Sequence, residues 1–284
     1  KKKRIYKISD EFIQTGPTVI DLNGDGTKDL VCGVMKGSNN IYATDGDTGK
    51  RLWEFRIPGE HMGVYHGCSV GDLDSDAQPE LVISAYDGKV YCLDAASGKQ
   101  KWVADPPDSY FMSTVVIADL DNDGQMRVIS AGSHVSMIDH EGNILWSKPC
   151  GAGGYDTAAR GASLADLNGD FTLDIVTLSG AGTFQVLSSS GEMIHQLDTS
   201  KFAGFPVSGS SHGPVIADMN GDGQLDVFLV VGNYQGNDNS RGMAMCLTGF
   251  AGSGKGWYML RHDPQNTGNY HTEIDPSLLR KIER

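Results

Sequence analysis

Apolar and polar positions along this chain alternate in short bursts, and the three-and-four spacing of an amphipathic helix is missing almost throughout. Five pairs of small apolar runs stand out: PTVI and LVCGV, CSVG and LVISA, TVVIA and VISAG, ASLA and IVTLS, PVIA and VFLVV. Each pair flanks an acidic segment: DLNGDGTKD from 21, DLDSDAQPE from 72, DLDNDGQMR from 119, DLNGDFTLD from 166 and DMNGDGQLD from 218. The pattern predicts strand, loop, strand, repeated at intervals of 51, 47, 47 and 52 residues.

Behind the first four pairs, NIYATDGDTGKRLWEF, KVYCLDAASGKQKWVA, SHVSMIDHEGNILWSK and TFQVLSSSGEMIHQL each supply two more strands around a turn with glycine. Four antiparallel strands per repeat make one blade. The predicted fold class is therefore all-β, a β-propeller of four-stranded antiparallel blades with five repeats visible and five or more blades, over residues 1–270. Trp53, Trp102 and Trp146 recur at one place on the fourth strand, where a large ring fills the wedge between blades. His195 takes that place in the fourth repeat, and the fifth reaches Trp257 after the insertion GFAGSGKG. The fourth strand of the last blade is either KKKRIYKIS, brought round to close the ring, or KGWYMLRHD. The tail 271–284 reads as a short helix with Pro276 near its start and Asp275 or Thr272 as cap, able to lead into another domain of a larger protein.

The acidic segments carry the chemistry. Calcium takes six to eight hard oxygens, and alternating acidic side chains on a tight loop converge on one ion. Asp21, Asn23, Asp25 and Asp29 stand at positions 1, 3, 5 and 9 of the first loop, with Gly26 at its sharp bend. Their counterparts are Asp72, Asp74, Asp76 and Glu80; Asp166, Asn168, Asp170 and Asp174; and Asp218, Asn220, Asp222 and Asp226. The third loop has Asp119, Asp121 and Asp123 but Arg127 at position 9, where a guanidinium is able to replace the ion, and its occupancy stays open. The competing reading is that Asp and Asn merely cap turns. An EF-hand is excluded, because position 12 is Cys32, Ile83, Ser130, Thr177 or Leu229 rather than glutamate, and no helices flank the loops.

Composition fits this picture. The 37 glycines among 284 residues suit many tight turns, and the net charge of −13 opposes a nucleic-acid or acidic-membrane partner while favouring bound cations. Four or five calcium ions, with two charges apiece, would offset most of that excess. No apolar run is long enough to span a membrane, and KKKRIYKISD lacks the apolar core of a targeting peptide. Cys32, Cys68, Cys92, Cys150 and Cys246 form no CxxC pair and read mainly as buried thiols.

The loops resemble FG-GAP repeats, the calcium-bearing units of integrin α-subunit propellers and of many bacterial secreted proteins, and the resemblance covers nearly the whole chain. WYMLRHDPQNTG resembles the C-terminal signature of bacterial FG-GAP proteins, and ATDGDTGKRLW and CLDAASGKQKW look like repeats of pyrroloquinoline quinone-dependent propeller enzymes. The resemblance implies that the loop aspartates bind calcium on the lower side of the ring and that ligands bind the opposite face. Weak calcium sites of about 10⁻⁴–10⁻³ M fill outside the cytosol, so the expected location is extracellular, cell-surface or periplasmic.

No GxSxG, HExxH, P-loop or strand-following GxGxxG is present. The connections opposite the calcium loops carry His61, Tyr65 and His66; Tyr110 and Phe111; Tyr155 and Arg160; and Ser211 and His212. The glycine-rich insert NYQGNDNSRG at 233–242 belongs to the same face. These residues either plug the channel mouth or bind a ligand. The leading expectation is a recognition or adhesion module for protein or glycan. The alternative is a polysaccharide lyase or other carbohydrate-active propeller using His66, Tyr155, Arg160 and His212. Quinone-dependent oxidation ranks lower, since adjacent cysteines are missing.

Overall fold

A computed structural model describes residues 7, 9–60, 62–151, 159–208, 212–233 and 239–252, which form five successive antiparallel sheets. The first contains β1 (Thr18–Ile20), β2 (Asp29–Gly33), β3 (Asn40–Thr44) and β4 (Arg51–Arg56). The second contains β5 (Ser69–Gly71), β6 (Glu80–Ser84), β7 (Val90–Asp94) and β8 (Gln100–Ala104), and the third β9 (Val116–Ala118), β10 (Arg127–Ala131), β11 (His134–Ile138) and β12 (Ile144–Pro149). The fourth contains β13 (Ala159–Ala165), β14 (Asp174–Ser179), β15 (Thr183–Leu187) and β16 (Met193–Asp198), and the fifth β17 (Val215–Ala217), β18 (Leu225–Asn233) and β19 (Arg241–Phe250). Strands pair in chain order within every sheet, so each is an up-and-down blade and the architecture is the β-propeller that the spacing predicts. The one helix among the described residues, α1 (Ser200–Ala203), is a single turn between the fourth and fifth blades. Most of KKKRIYKIS, all of KGWYMLRHD with Trp257, and the tail 271–284 lie outside the described residues.

The apolar runs are continuous because both faces of the middle strands are buried. All five residues of β6 and all six of β14 are buried, whereas outer strands β12 and β16 are mostly exposed or half-buried. Alternate residues then serve two different cores. Leu81 and Ile83 pack with Val31, Ile41 and Trp53 of the first blade, while Val82, between them, packs with Ile117, Val128 and Ile138 of the third. Two further cores join the third blade to the fourth and the fourth to the fifth. Each buried Val, Leu or Ile contributes about 1.5–3 kcal/mol, so much of a blade's stabilisation lies in the seams it shares with its neighbours.

Two polar fasteners reinforce these seams. Trp53 donates its indole N–H to the Ala95 carbonyl at 3.0 Å, Trp102 to His140 at 2.8 Å and Trp146 to Ser189 at 3.0 Å, each reaching the turn between the third and fourth strands of the next blade. A β-bulge follows the pairing of each ring with the third strand, at Ala43/Thr44, Cys92/Leu93 and Met137/Ile138. His195 pairs in the equivalent register with Val186 and meets the Phe250 ring edge-on at 5.9 Å. The rings therefore take the role expected of them. The second fastener is a hydroxyl three residues before the acidic loop. Thr18 donates to the Cys68 carbonyl at 2.7 Å, Ser69 to Val115 at 2.7 Å and Ser163 to Pro214 at 2.6 Å, each linking one innermost strand to the next. In the third blade that position is Val116, which has no hydroxyl to offer.

Gly98 shows how tightly the tryptophan fits: its φ is +69°, and an added Cβ would lie 2.5 Å from the Trp53 ring. Gly24, at φ +74°, has nothing within 4 Å of the same position. Alanine at Gly24 meets only the backbone penalty, roughly 1 kcal/mol, whereas Gly98→Ala also overpacks the seam. Gly98→Ala is expected to lose about 1–3 kcal/mol more than Gly24→Ala in urea unfolding; equal losses would mean that the ring does not hold the seam.

Candidate metal loops and the opposite face

The position-9 residue closes every acidic loop by pairing with the residue just before position 1: Ile20 with Asp29, Gly71 with Glu80, Ala118 with Arg127, Ala165 with Asp174 and Ala217 with Asp226. Eight residues are trapped between these pairs in a common path. Positions 4 and 6 adopt left-handed φ in all five loops, even where they are Ser75, Ala77, Asn122 and Phe171 rather than glycine. Left-handed backbone costs about 1–2 kcal/mol at such residues, so the closed loop imposes its shape on unfavourable side chains.

Much of the polar pattern is consumed by the loop's own amides. Position 1 caps the bend: Asp21 accepts Gly24 and Gly26 N–H at 2.8 Å, and Asp119 accepts Asp123 and Gly124 at 3.0 and 2.9 Å. Asp72, Asp166 and Asp218 do the same. At position 3, Asn23, Asp74, Asn168 and Asn220 accept the position-5 N–H, and at position 5, Asp25, Asp76, Asp123, Asp170 and Asp222 accept the position-7 N–H. The turn-capping role weighed from the sequence is thus present in every loop, and it leaves further lone pairs on each carboxylate.

Position 9 differs from the rest. Asp29, Glu80, Asp174 and Asp226 are 0–1% exposed, and one oxygen of each accepts the position-2 N–H at 2.8–3.0 Å, from Leu22, Leu73, Leu167 and Met219. The second oxygen has a different fate in each blade. Asp29 Oδ1 accepts Gly46 N–H at 2.9 Å, and Glu80 Oε1 accepts Lys101 Nζ at 2.7 Å. Asp174 Oδ1 and Asp226 Oδ1 are buried without a hydrogen-bond partner. In the third blade Arg127 pairs instead with Asp123, at 3.2 Å.

A buried carboxylate oxygen with no donor is a costly feature unless something fills the place. Burial first, then the charges of Asp170 and Asp166, push the Asp174 carboxyl up to about 6. Burial also raises Glu80, partly offset by Lys101, and a hydrogen bond from Lys101 first of all lowers Asp74. Among the described residues, three carboxylates converge within 4.8 Å only at Asp72, Asp74 and Glu80, and Lys101 bonds to both Asp74 and Glu80 there at 2.7 Å. Sequence reasoning passed over Lys101, although one signal was available: the residues just before Trp53, Trp146 and His195 are Leu52, Leu145 and Ile194.

The strand order puts the acidic loops and the third-to-fourth-strand turns at one end of the blades. The second-to-third-strand turns and the blade connections lie at the other, as expected. Tyr65 and His66, on the connection from the first blade to the second, meet edge-on at 5.0 Å, and Tyr86 stacks on Tyr110 at 5.3 Å. The Tyr86 turn is held between two connections, by Tyr86 N–H to Gly63 and Phe111 N–H to Ala85. Phe111 is buried as core, and its part in a ligand site is corrected accordingly. Nearby, Asp108 accepts Ser133 Oγ at 2.7 Å and the His134 backbone N–H at 3.1 Å, a cluster that no sequence motif announced. His212 is exposed on the connection from the fourth blade to the fifth. His61, Tyr155, Ser211, the Arg160 side chain and residues 234–238 of the glycine-rich insert lie outside the described residues. Cys32, Cys68, Cys92 and Cys150 are buried as expected, whereas Cys246 is exposed on the long edge of β19.

In metal-free protein the raised Asp174 carboxyl makes stability fall as pH rises. Between about 3.8 and 6 the folded chain holds a proton that the unfolded chain releases, so stabilisation present below this window is lost on passing through it. Asp174→Asn should flatten the fall and stabilise chelator-treated protein at pH 7 by up to about 3 kcal/mol. Urea midpoints measured across pH 4–7 in chelator test this, and an unchanged slope would contradict it.

Three solved structures resemble the chain, and the first of them supports the architecture. A quinohemoprotein alcohol dehydrogenase from Comamonas testosteroni aligns with TM-score 0.54 and 14% identity, over 79% of this chain and 42% of that one. BamB from Moraxella catarrhalis aligns with TM-score 0.47 and 15% identity, over 77% and 61%. The V. cholerae biofilm matrix protein Bap1 aligns with TM-score 0.41 and 20% identity, over 72% and 42%. The chain thus spans 42–61% of the length of these proteins, and the alcohol dehydrogenase alignment, at 14% identity, shows the fold alone. No curated protein sequence matches the chain significantly. A family profile does match, over residues 34–225, from just after β2 to the first residue of β18, and by that match the chain belongs to the propeller family described as outer membrane protein assembly factor BamB.

Proposed function

We propose that this chain is a recognition propeller outside the cytoplasm, which docks a protein partner on the face opposite the acidic loops. The observation that carries this reading is the two pairs of half-buried aromatic rings there, Tyr65 with His66 and Tyr86 with Tyr110, the Tyr86 turn being held by the connections on either side of it. Preorganised aromatic side chains on a rigid scaffold supply interface anchors at little entropic cost. The family description, an outer-membrane assembly factor, favours a protein partner over a glycan and a cell-envelope location over the cytosol. Among the described residues no helix is long and apolar enough to cross a membrane.

On this reading the acidic loops are FG-GAP-type calcium loops set into the blades of that family. The donor set is all oxygen, as calcium requires, and the partnerless oxygens of Asp174 and Asp226 fit a bound cation. A bound ion would lock the inner hairpin of a blade. Its chemistry there is structural, and the chain's own residues orient the partner-binding face.

A photo-crosslinking residue at Tyr86 should give a discrete protein adduct in cells, and the same residue at Gln224, on an acidic loop, should not. Adducts from Gln224 alone, or from neither position, would refute the docking face. Calcium should raise the melting temperature relative to chelator, each site adding about 2.7 kcal/mol at a hundredfold excess over Kd; coincident melting curves would remove calcium from the account.

A further inference from the structure

The acidic loops look alike in sequence, yet the second oxygen of the buried position-9 carboxylate divides them. We propose that the fourth and fifth loops each take one divalent cation, on Asp174 and Asp226, whereas Lys101 serves as the resident cation of the second loop and keeps metal out. The inference rests on the calcium reading of the loops and assigns which of them bind.

At Asp174 and Asp226 the carboxylate is 0% exposed, one oxygen holds a backbone N–H, and the other is buried with no partner. Such an oxygen demands a cation or a donor, and the loop's remaining oxygens stand at positions 1, 3 and 5 of the same turn. In the second loop the equivalent oxygen, Glu80 Oε1, is 2.7 Å from Lys101 Nζ. The same ammonium bonds to Asp74 Oδ2 at position 3, also at 2.7 Å. Burial opposes its charge, but these two bonds win and hold Lys101 above the ordinary lysine value. A calcium ion entering here would need both oxygens and would have to expel the ammonium from a buried carboxylate.

The remaining loops follow the same rule. Asp29 accepts an amide on each oxygen, from Leu22 and Gly46, so neither is left without a donor as in the fourth and fifth loops. The third loop replaces the position-9 carboxylate with Arg127, which reaches Asp123. The two loops that keep a basic side chain, the second and third, are also the two with aspartate at position 3, Asp74 and Asp121; the others have Asn23, Asn168 and Asn220. An extra negative charge thus accompanies the built-in positive one.

The experiment is a count of calcium bound by the full chain in equilibrium dialysis, for wild type and for Lys101→Met, Asp174→Asn and Asp226→Asn, each checked for native circular dichroism. Wild type should bind two ions, each aspartate variant one, and Lys101→Met three. Lys101→Gln, which also lacks the charge, should match Lys101→Met and stands in for it should the latter misfold. A wild-type count of three or more, or a count unmoved by loss of Lys101, overturns the division while leaving the calcium reading intact. No bound calcium in any variant overturns both.

Discussion

Every blade turns on one buried carboxylate or its replacement. The position-9 side chain sits at the start of the second strand, under the first strand's end, and ties itself to the amide at position 2. That single bond fixes where the loop ends and the ladder begins, and with it the register of the inner hairpin. A slip of one residue would exchange the two cores that alternate residues of β6 serve. The register also sets which backbone groups meet the neighbouring blade, including the carbonyls that accept the Thr18, Ser69 and Ser163 hydroxyls.

A carboxylate so buried needs its charge answered, and beyond the shared position-2 amide the blades differ: a second amide in the first, an ammonium in the second, and an oxygen without a donor in the fourth and fifth. The third dispenses with the carboxylate. Repetition of the backbone therefore does not require repetition of the chemistry. The loop path survives even with Phe171 in left-handed backbone, because strand pairing on both sides holds it there.

The architecture was legible because its signals recur. Apolar runs buried on both faces, acidic loops at near-constant spacing and a tryptophan at one place on the fourth strand each repeat, so accidents average out. What escaped the sequence depends on contacts between distant segments. Lys101 finds Glu80 only because β7 lies between β6 and β8 and a bulge re-aims the outer strand. The Asp108, Ser133 and His134 cluster joins the connection before the third blade to that blade's own β10–β11 turn and carries no spacing rule. Phe111 looked like a ligand-facing ring because composition marks a connection as polar or aromatic without saying which side chain turns inward.

The seams between blades are not equally fastened. The first-to-second and second-to-third seams have both an indole and a hydroxyl bond, from Trp53 with Thr18 and from Trp102 with Ser69. The third-to-fourth seam keeps Trp146 but has Val116 in place of the hydroxyl, and the fourth-to-fifth keeps Ser163 but has His195 in place of the indole. The third-to-fourth seam is fastened instead at its acidic loops, where Leu173 N–H donates to the Leu120 carbonyl at 2.9 Å and Asn122 Nδ2 to the Phe171 carbonyl at 2.7 Å. The blades are thus riveted to one another by a different set of fasteners at each seam, so that loss of one indole or one hydroxyl loosens a single joint and leaves the others as they were.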